Sequence, residues 1–187
     1  MASAETILLE IVTPTGVALH DRVTEVTAPS VDGEFGVLPG HLPVLAALRT
    51  GLVSYKKDGK ESRVAVHHGF VEVNHDVALV LTERFVKKDD VDVVRVRLRL
   101  KDVDAELDHW QGELTDPRRR ELIEEEQWLA AQLELIGDPP PPTVREDTRF
   151  LADHAESLPE AEMVDTQQTD ESLTDTHTTG GPFGGAD

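Results

Sequence analysis

The sequence predicts an N-terminal all-β sandwich over residues 1–87, then an antiparallel α-helical hairpin over residues 88–137, then an acidic tail over residues 138–187 expected to be disordered. Three observations carry this reading. Short β-branched runs, separated by turn signals every 8–12 residues or so, fill the first segment. Apolar residues at steps of three and four fill the second. The third opens with four prolines and holds 12 acidic against 2 basic residues, with too few apolar groups to offset the entropy of ordering.

Within the first segment, residues 6–12 are an apolar, β-branched strand closed by the turn cluster Thr13-Pro14-Thr15-Gly16. Residues 23–28 alternate well enough for a half-buried strand. Residues 51–57 and 61–67 flank Asp58-Gly59-Lys60, a hairpin signal because Asp-Gly tolerates the positive φ of tight hairpin turns. Residues 71–73 and 77–81 flank Asn74-His75-Asp76, a second hairpin candidate.

In the second segment Val93, Val96, Leu100, Val103, Leu107, Trp110 and Leu114 form a continuous helical seam. Residues 94–101 also alternate strictly, which reads as a strand with a basic face; the seam is the longer signal and favours helix. Asp116-Pro117 marks a second helix, with Asp as N-cap and Pro where its missing N–H is harmless. Leu122, Leu129, Leu133 and Ile136 lie along one side of it, interrupted by Glu126, and Gly137 followed by Asp138-Pro139 ends it. The tail is expected to form at most a transient helix over residues 149–156. No internal repeat is apparent.

Composition narrows the function classes. The formal charge is −19, of which the tail carries −10, and such an acid excess argues against non-specific nucleic-acid binding. There is no cysteine, so disulfides, thiolate zinc sites and cysteine nucleophiles are excluded. No apolar run approaches the roughly 18 residues of a spanning helix, and no targeting segment is evident; membrane association is expected only through a partner.

The chemistry-bearing patterns are weak. Gly33, Gly36 and Gly40 match neither the dinucleotide fingerprint nor a phosphate loop and read as turn geometry. None of the 8 histidines sits in an HExxH or i, i+4 arrangement. His67 and His68 are adjacent on an expected strand, so their side chains should point to opposite faces and not share a metal. Glu124-Glu125-Glu126 reads as a solvated helix face, and Arg95, Arg97, Arg99 and Lys101 as scattered cations paired with Asp92, Asp102 and Asp104. The serines lie in no nucleophile elbow. No catalytic residue, cofactor or metal is expected.

Three motifs point further. GEFGVLPGHLPVLAAL (residues 33–48), the strand start Gly51-Leu52-Val53, and His68-Gly69-Phe70-Val71-Glu72-Val73 resemble the signature loop, the next strand and the Gly-Gly-Phe-x-Glu-Val segment of the epsilon subunits of bacterial F-type ATP synthases, with His68 in place of the first glycine. The resemblance covers residues 6–136. It implies a ten-stranded sandwich and a non-catalytic rotor subunit of the central stalk, seated between the gamma subunit and the c-subunit ring, reaching the alpha and beta subunits transiently. The subunit would sit peripherally at the cytoplasmic face of the bacterial plasma membrane and couple proton-driven rotation to ATP synthesis. The family's c-ring contacts map onto Glu34 and His41.

The resemblance also implies a mobile hairpin that regulates hydrolysis. Some members bind ATP through Ile/Leu-Asp-x-x-Arg-Ala; Asp92 and Arg95 are retained here as a vestigial nucleotide site, with Val96 replacing the small alanine. Glu125, Glu126 and Gln132 stand where the family is richer in Arg and Ala, so ATP binding tighter than about millimolar is not expected. The rival reading is a stand-alone β-sandwich adaptor whose acidic tail binds a basic partner; a small hydrolase built on unrecognised carboxylates is the weakest of the three.

Overall fold

The computed structural model describes residues 6–141; the disordered tail and the transient helix over 149–156 are expectations that lie outside the described residues, apart from 138–141. Among the described residues there are ten strands: β1 (Ile7–Thr13), β2 (Gly16–Val23), β3 (Glu25–Ser30), β4 (Gly33–Val37), β5 (Val44–Leu48), β6 (Gly51–Lys57), β7 (Lys60–Val66), β8 (Gly69–Asn74), β9 (Val77–Thr82) and β10 (Phe85–Lys87). A single 3-10 turn, Lys88–Asp90, leads to the helices α1 (Val93–Asp108) and α2 (Pro117–Ile136).

The strands hydrogen-bond in the order β10-β7-β6-β3-β5-β8-β9-β1-β2, with β4 added on β3. All pairs are antiparallel except β1 with β9. The sheet folds over on itself, so β2 near one end of the path lies against β6 near the other, and Lys57 Nζ donates to Asp21 Oδ1 at 2.5 Å across that closure. Period-two alternation sends Ile7, Leu9 and Ile11 inward from β1, where all are essentially inaccessible. They meet Val26, Val53, Val71 and Val80 in one core. The expected ten-stranded sandwich is therefore observed.

Both hairpin signals are borne out: Asp58 and Gly59, and His75 and Asp76, occupy the left-handed region at the β6–β7 and β8–β9 turns. The strand expected over residues 23–28 is instead broken at Thr24, where β2 gives way to β3. The helical reading of residues 94–101 holds. Asp92 caps α1 by accepting from the Arg95 N–H at 3.1 Å, and Asp116 caps α2 by accepting from the Arg118 N–H at 2.8 Å. Gly137 ends α2 in the left-handed conformation. The seam, however, outruns its helix: α1 stops at Asp108, Trp110 packs from the connecting loop, and Leu114 is exposed.

Helix α2 buries two apolar stripes. Leu122, Ile123, Leu129 and Leu133 pack with Val96, Leu100, Val103 and Leu107 of α1. Trp128, Ala131 and Leu135 pack on Ala65, Leu52 and Val86 of the sandwich. The hairpin is thus seated on the outer face of β6 and β7 through α2.

Candidate functional site

The GEFGVLPGH run is half strand and half turn. Its first five residues form β4, paired with β3 in the register Pro29↔Glu34 and Val26↔Val37; the reading of this run as a loop whose glycines serve turns is corrected to this extent. Alternation on β4 buries Val37 and leaves Glu34 exposed. The chain then turns through Leu38-Pro39-Gly40-His41, closed by the His41 N–H donating to the Leu38 carbonyl at 3.0 Å. Pro39 at the second position and Gly40 at φ 78° are what a type II turn requires. The Gly40 N–H donates to Asp76 Oδ1 at 2.8 Å, which ties this turn to the β8–β9 hairpin. His41 Nδ1 sits 2.6 Å from the Leu42 carbonyl. Glu34 and His41 lie toward opposite ends of β4, so they present separate contact points and not one cluster.

Beside the turn is a feature that residue patterns did not single out. The pairings Ala47↔Phe70 and Phe70↔Leu81 place β5, β8 and β9 residues in one row on the outer face. Leu45 shares that face and is 70% exposed, Phe70 55% and Leu81 43%. Leu42, at the end of the turn, and Leu38 within it are also exposed. An apolar strip of this kind marks an interaction face. The available signal was the apolar residue at the outward position of each alternating strand.

Asp92 and Arg95 are brought together, with Val94, Leu98, Arg99, Asp102 and Glu125, around an open groove of about 540 Å³ between α1 and α2. Asp92 serves as the N-cap of α1. Arg99 donates through Nε and Nη2 to the two oxygens of Glu125 at 2.7 and 2.6 Å, a bidentate pair. The guanidinium holds the Glu125 carboxyl below the usual carboxylate range, hydrogen bonding outweighing partial burial. Three carboxylates thus face two guanidiniums, one of which is already engaged.

Two expectations are corrected here. The strongest partners of the basic residues lie beyond α1: Arg99 binds Glu125 as well as Glu106 of its own helix, and Arg97 donates to Asp138 just past the end of α2. Nor is Glu124-Glu125-Glu126 a solvated face, since Glu126 is buried and its neighbours are half-buried between the helix and its packing partners.

The histidine expectation is corrected as well. Strand β7 ends at Val66 and β8 begins at Gly69, so alternation does not govern His67 and His68, and their ring centroids are only 4.1 Å apart.

The ATP synthase Delta/Epsilon chain β-sandwich domain family matches residues 6–88. The ATP synthase epsilon chain of Citrifermentans bemidjiense is 41% identical over 104 residues, 56% of this chain and 75% of that protein. The epsilon chain of Nitratidesulfovibrio vulgaris is 42% identical over 108 residues, 54% of this chain and 81% of the relative. This chain belongs to the ATP synthase epsilon chain family. A chain of the Euglena gracilis mitochondrial ATP synthase assembly containing OSCP, F1 and the c-ring shares the fold, with TM-score 0.58 and 23% identity over 71% of this chain and 81% of that one. The family resemblance read from residues 33–48 and 68–73 is therefore borne out. As an epsilon chain the protein is a component of a membrane-associated complex, and among the described residues no helix is long and apolar enough to cross a membrane.

Proposed function

We propose that the chain is the non-catalytic central-stalk rotor subunit of a bacterial F-type ATP synthase, coupling proton-driven rotation of the c-ring through the gamma subunit to ATP synthesis. The observation that carries this reading is the pairing of two unlike surfaces on one stiff β body. A turn locked by Pro39, Gly40 and Asp76 stands beside an exposed apolar strip on β5, β8 and β9. A torque-bearing adaptor needs such a body, because a sheet with few free edges transmits force without rearranging.

In this reading the apolar strip takes the gamma subunit, and Glu34 and His41 face the polar loops of the c-ring. The subunit sits peripherally at the cytoplasmic face of the plasma membrane and meets it only through the complex, with alpha and beta contacted transiently by the hairpin. The Asp92–Arg95 groove is vestigial as a nucleotide site, because its carboxylates outnumber its guanidiniums and Glu125 already occupies Arg99.

Affinity purification of the tagged chain from its own cells should bring down alpha, beta, gamma and c subunits; its absence from the assembled complex overturns the assignment. Glu34→Lys combined with His41→Ala should lower proton-coupled synthesis while shifting sandwich stability by less than about 1 kcal/mol, as at exposed sites. Unchanged coupling would remove both residues from the c-ring contact.

A further inference from the structure

At the seam between sandwich and hairpin, His67, His68 and Glu83 each offer a ligand atom, and these atoms all lie within 4.8 Å of one another. Glu83 Oε2 is 3.7 Å from His67 Nδ1 and 3.9 Å from His68 Nε2. From the other side of the seam, α2 brings Glu124 Oε2 to 3.8 Å from the same His68 Nε2. A tetrahedral zinc ion with bonds near 2.0–2.1 Å needs ligand atoms about 3.3 Å apart. The three measured edges are longer than that by about half an ångström, and Glu124 is placed next to His68, outside the close group of three, so metal binding would draw both carboxylates inward.

We propose that these four side chains form a zinc-class divalent metal site that bridges the β-sandwich and the hairpin. The donor set of two imidazoles and two carboxylates suits borderline ions such as Zn²⁺, and the two carboxylates balance its charge. The surroundings hold the ligands in place. The His67 backbone N–H donates to the Arg84 carbonyl at 3.0 Å, and the buried Thr82 hydroxyl donates to the His67 carbonyl at 2.9 Å. The His67 imidazole meets the Trp128 ring edge-on with centroids 5.9 Å apart. These contacts fix the backbone at His67 and the placement of its ring. Glu83 is well exposed and Glu124 partly so, which leaves the ion a path from solvent.

Three ligands come from the sandwich and one from α2, so the ion binds more tightly when the hairpin is seated. Binding energy that favours one arrangement shifts the population toward it. The site is thus a metal-dependent latch on the hairpin, independent of the partners proposed above.

The test uses the full chain, stripped of metal by dialysis and titrated with ZnCl₂ against a competing chromophoric chelator, with His154 and His177 of the tail left in place throughout. The native chain should bind one tight equivalent. His68→Gln and, separately, the exposed Glu83→Gln should each weaken that equivalent by about 100-fold or more, beyond the 10–100-fold typical of merely supporting residues. Glu124→Gln should retain binding weakened by about tenfold and lose the zinc-induced rise in melting temperature that tryptophan fluorescence reports in the native chain. The site is overturned if the native chain takes up no tight equivalent, or if neither His68→Gln nor Glu83→Gln weakens it. The bridging role is overturned if Glu124→Gln leaves both affinity and the thermal shift intact.

Discussion

At Gly69 the backbone of β8 runs so close to β9 that an added Cβ would collide with the Leu81 carbonyl oxygen. Gly36 in β4 has open space at the same position. The contrast separates two reasons for glycine that the sequence alone presents identically. Gly69→Ala should destabilise the fold by roughly 1–3 kcal/mol, the range for overpacking that forces a backbone shift. Gly36→Ala should stay within about 0.5 kcal/mol. Urea unfolding of both variants checks this through the midpoint, provided the slope is unchanged; equal midpoints would show that β8 and β9 separate at little cost. His67 and His68 teach the same lesson. Their neighbourhood follows from where β7 stops and β8 begins.

Helix α2 is the element in which sequence and structure differ most. Its visible stripe, Leu122, Leu129, Leu133 and Ile136, faces α1, and this much was legible from spacing. Trp128, Ala131 and Leu135 form a second stripe against the sandwich, which blurs the periodicity because a helix buried on two sides loses its polar face. Glu125 was equally obscured: in a run of three glutamates it resembles a solvated charge, yet it clamps Arg99 across the hairpin. Because that clamp removes a guanidinium from the Asp92–Arg95 groove, calorimetric titration of the full chain with ATP should show no binding tighter than about millimolar, some −4 kcal/mol. A micromolar constant would mean that Arg99 exchanges partners readily and that the groove is a working nucleotide site.

At the scale of the molecule, the apolar groups among the described residues fall into a sandwich core, a hairpin core and a small cluster joining them. The sandwich core is complete without any helical residue. We therefore propose that it is an independent folding unit, and a fragment of residues 1–88 should unfold in one cooperative transition with its β-type circular dichroism intact. A molten fragment that binds hydrophobic dyes would show instead that Trp128, Ala131 and Leu135 are part of what holds the strands together. The same separation explains how a hairpin can be seated by few contacts, and why a bridging ion would matter to it.

What the amino-acid order determined by itself is local: the two tight hairpins, the caps at Asp92 and Asp116, the helical reading of residues 94–101, and the turn chemistry of Leu38 to His41, enough to identify the family. Each depends on residues a few positions apart, where φ preference, capping and periodicity act directly. Tertiary structure alone decided which outward apolar groups form one strip, that Arg99 meets Glu125, and that His67, His68 and Glu83 converge with Glu124 beside His68. Those outcomes join residues far apart in the chain, and they follow from strand register and from the seating of α2, neither of which leaves a mark on neighbouring residues.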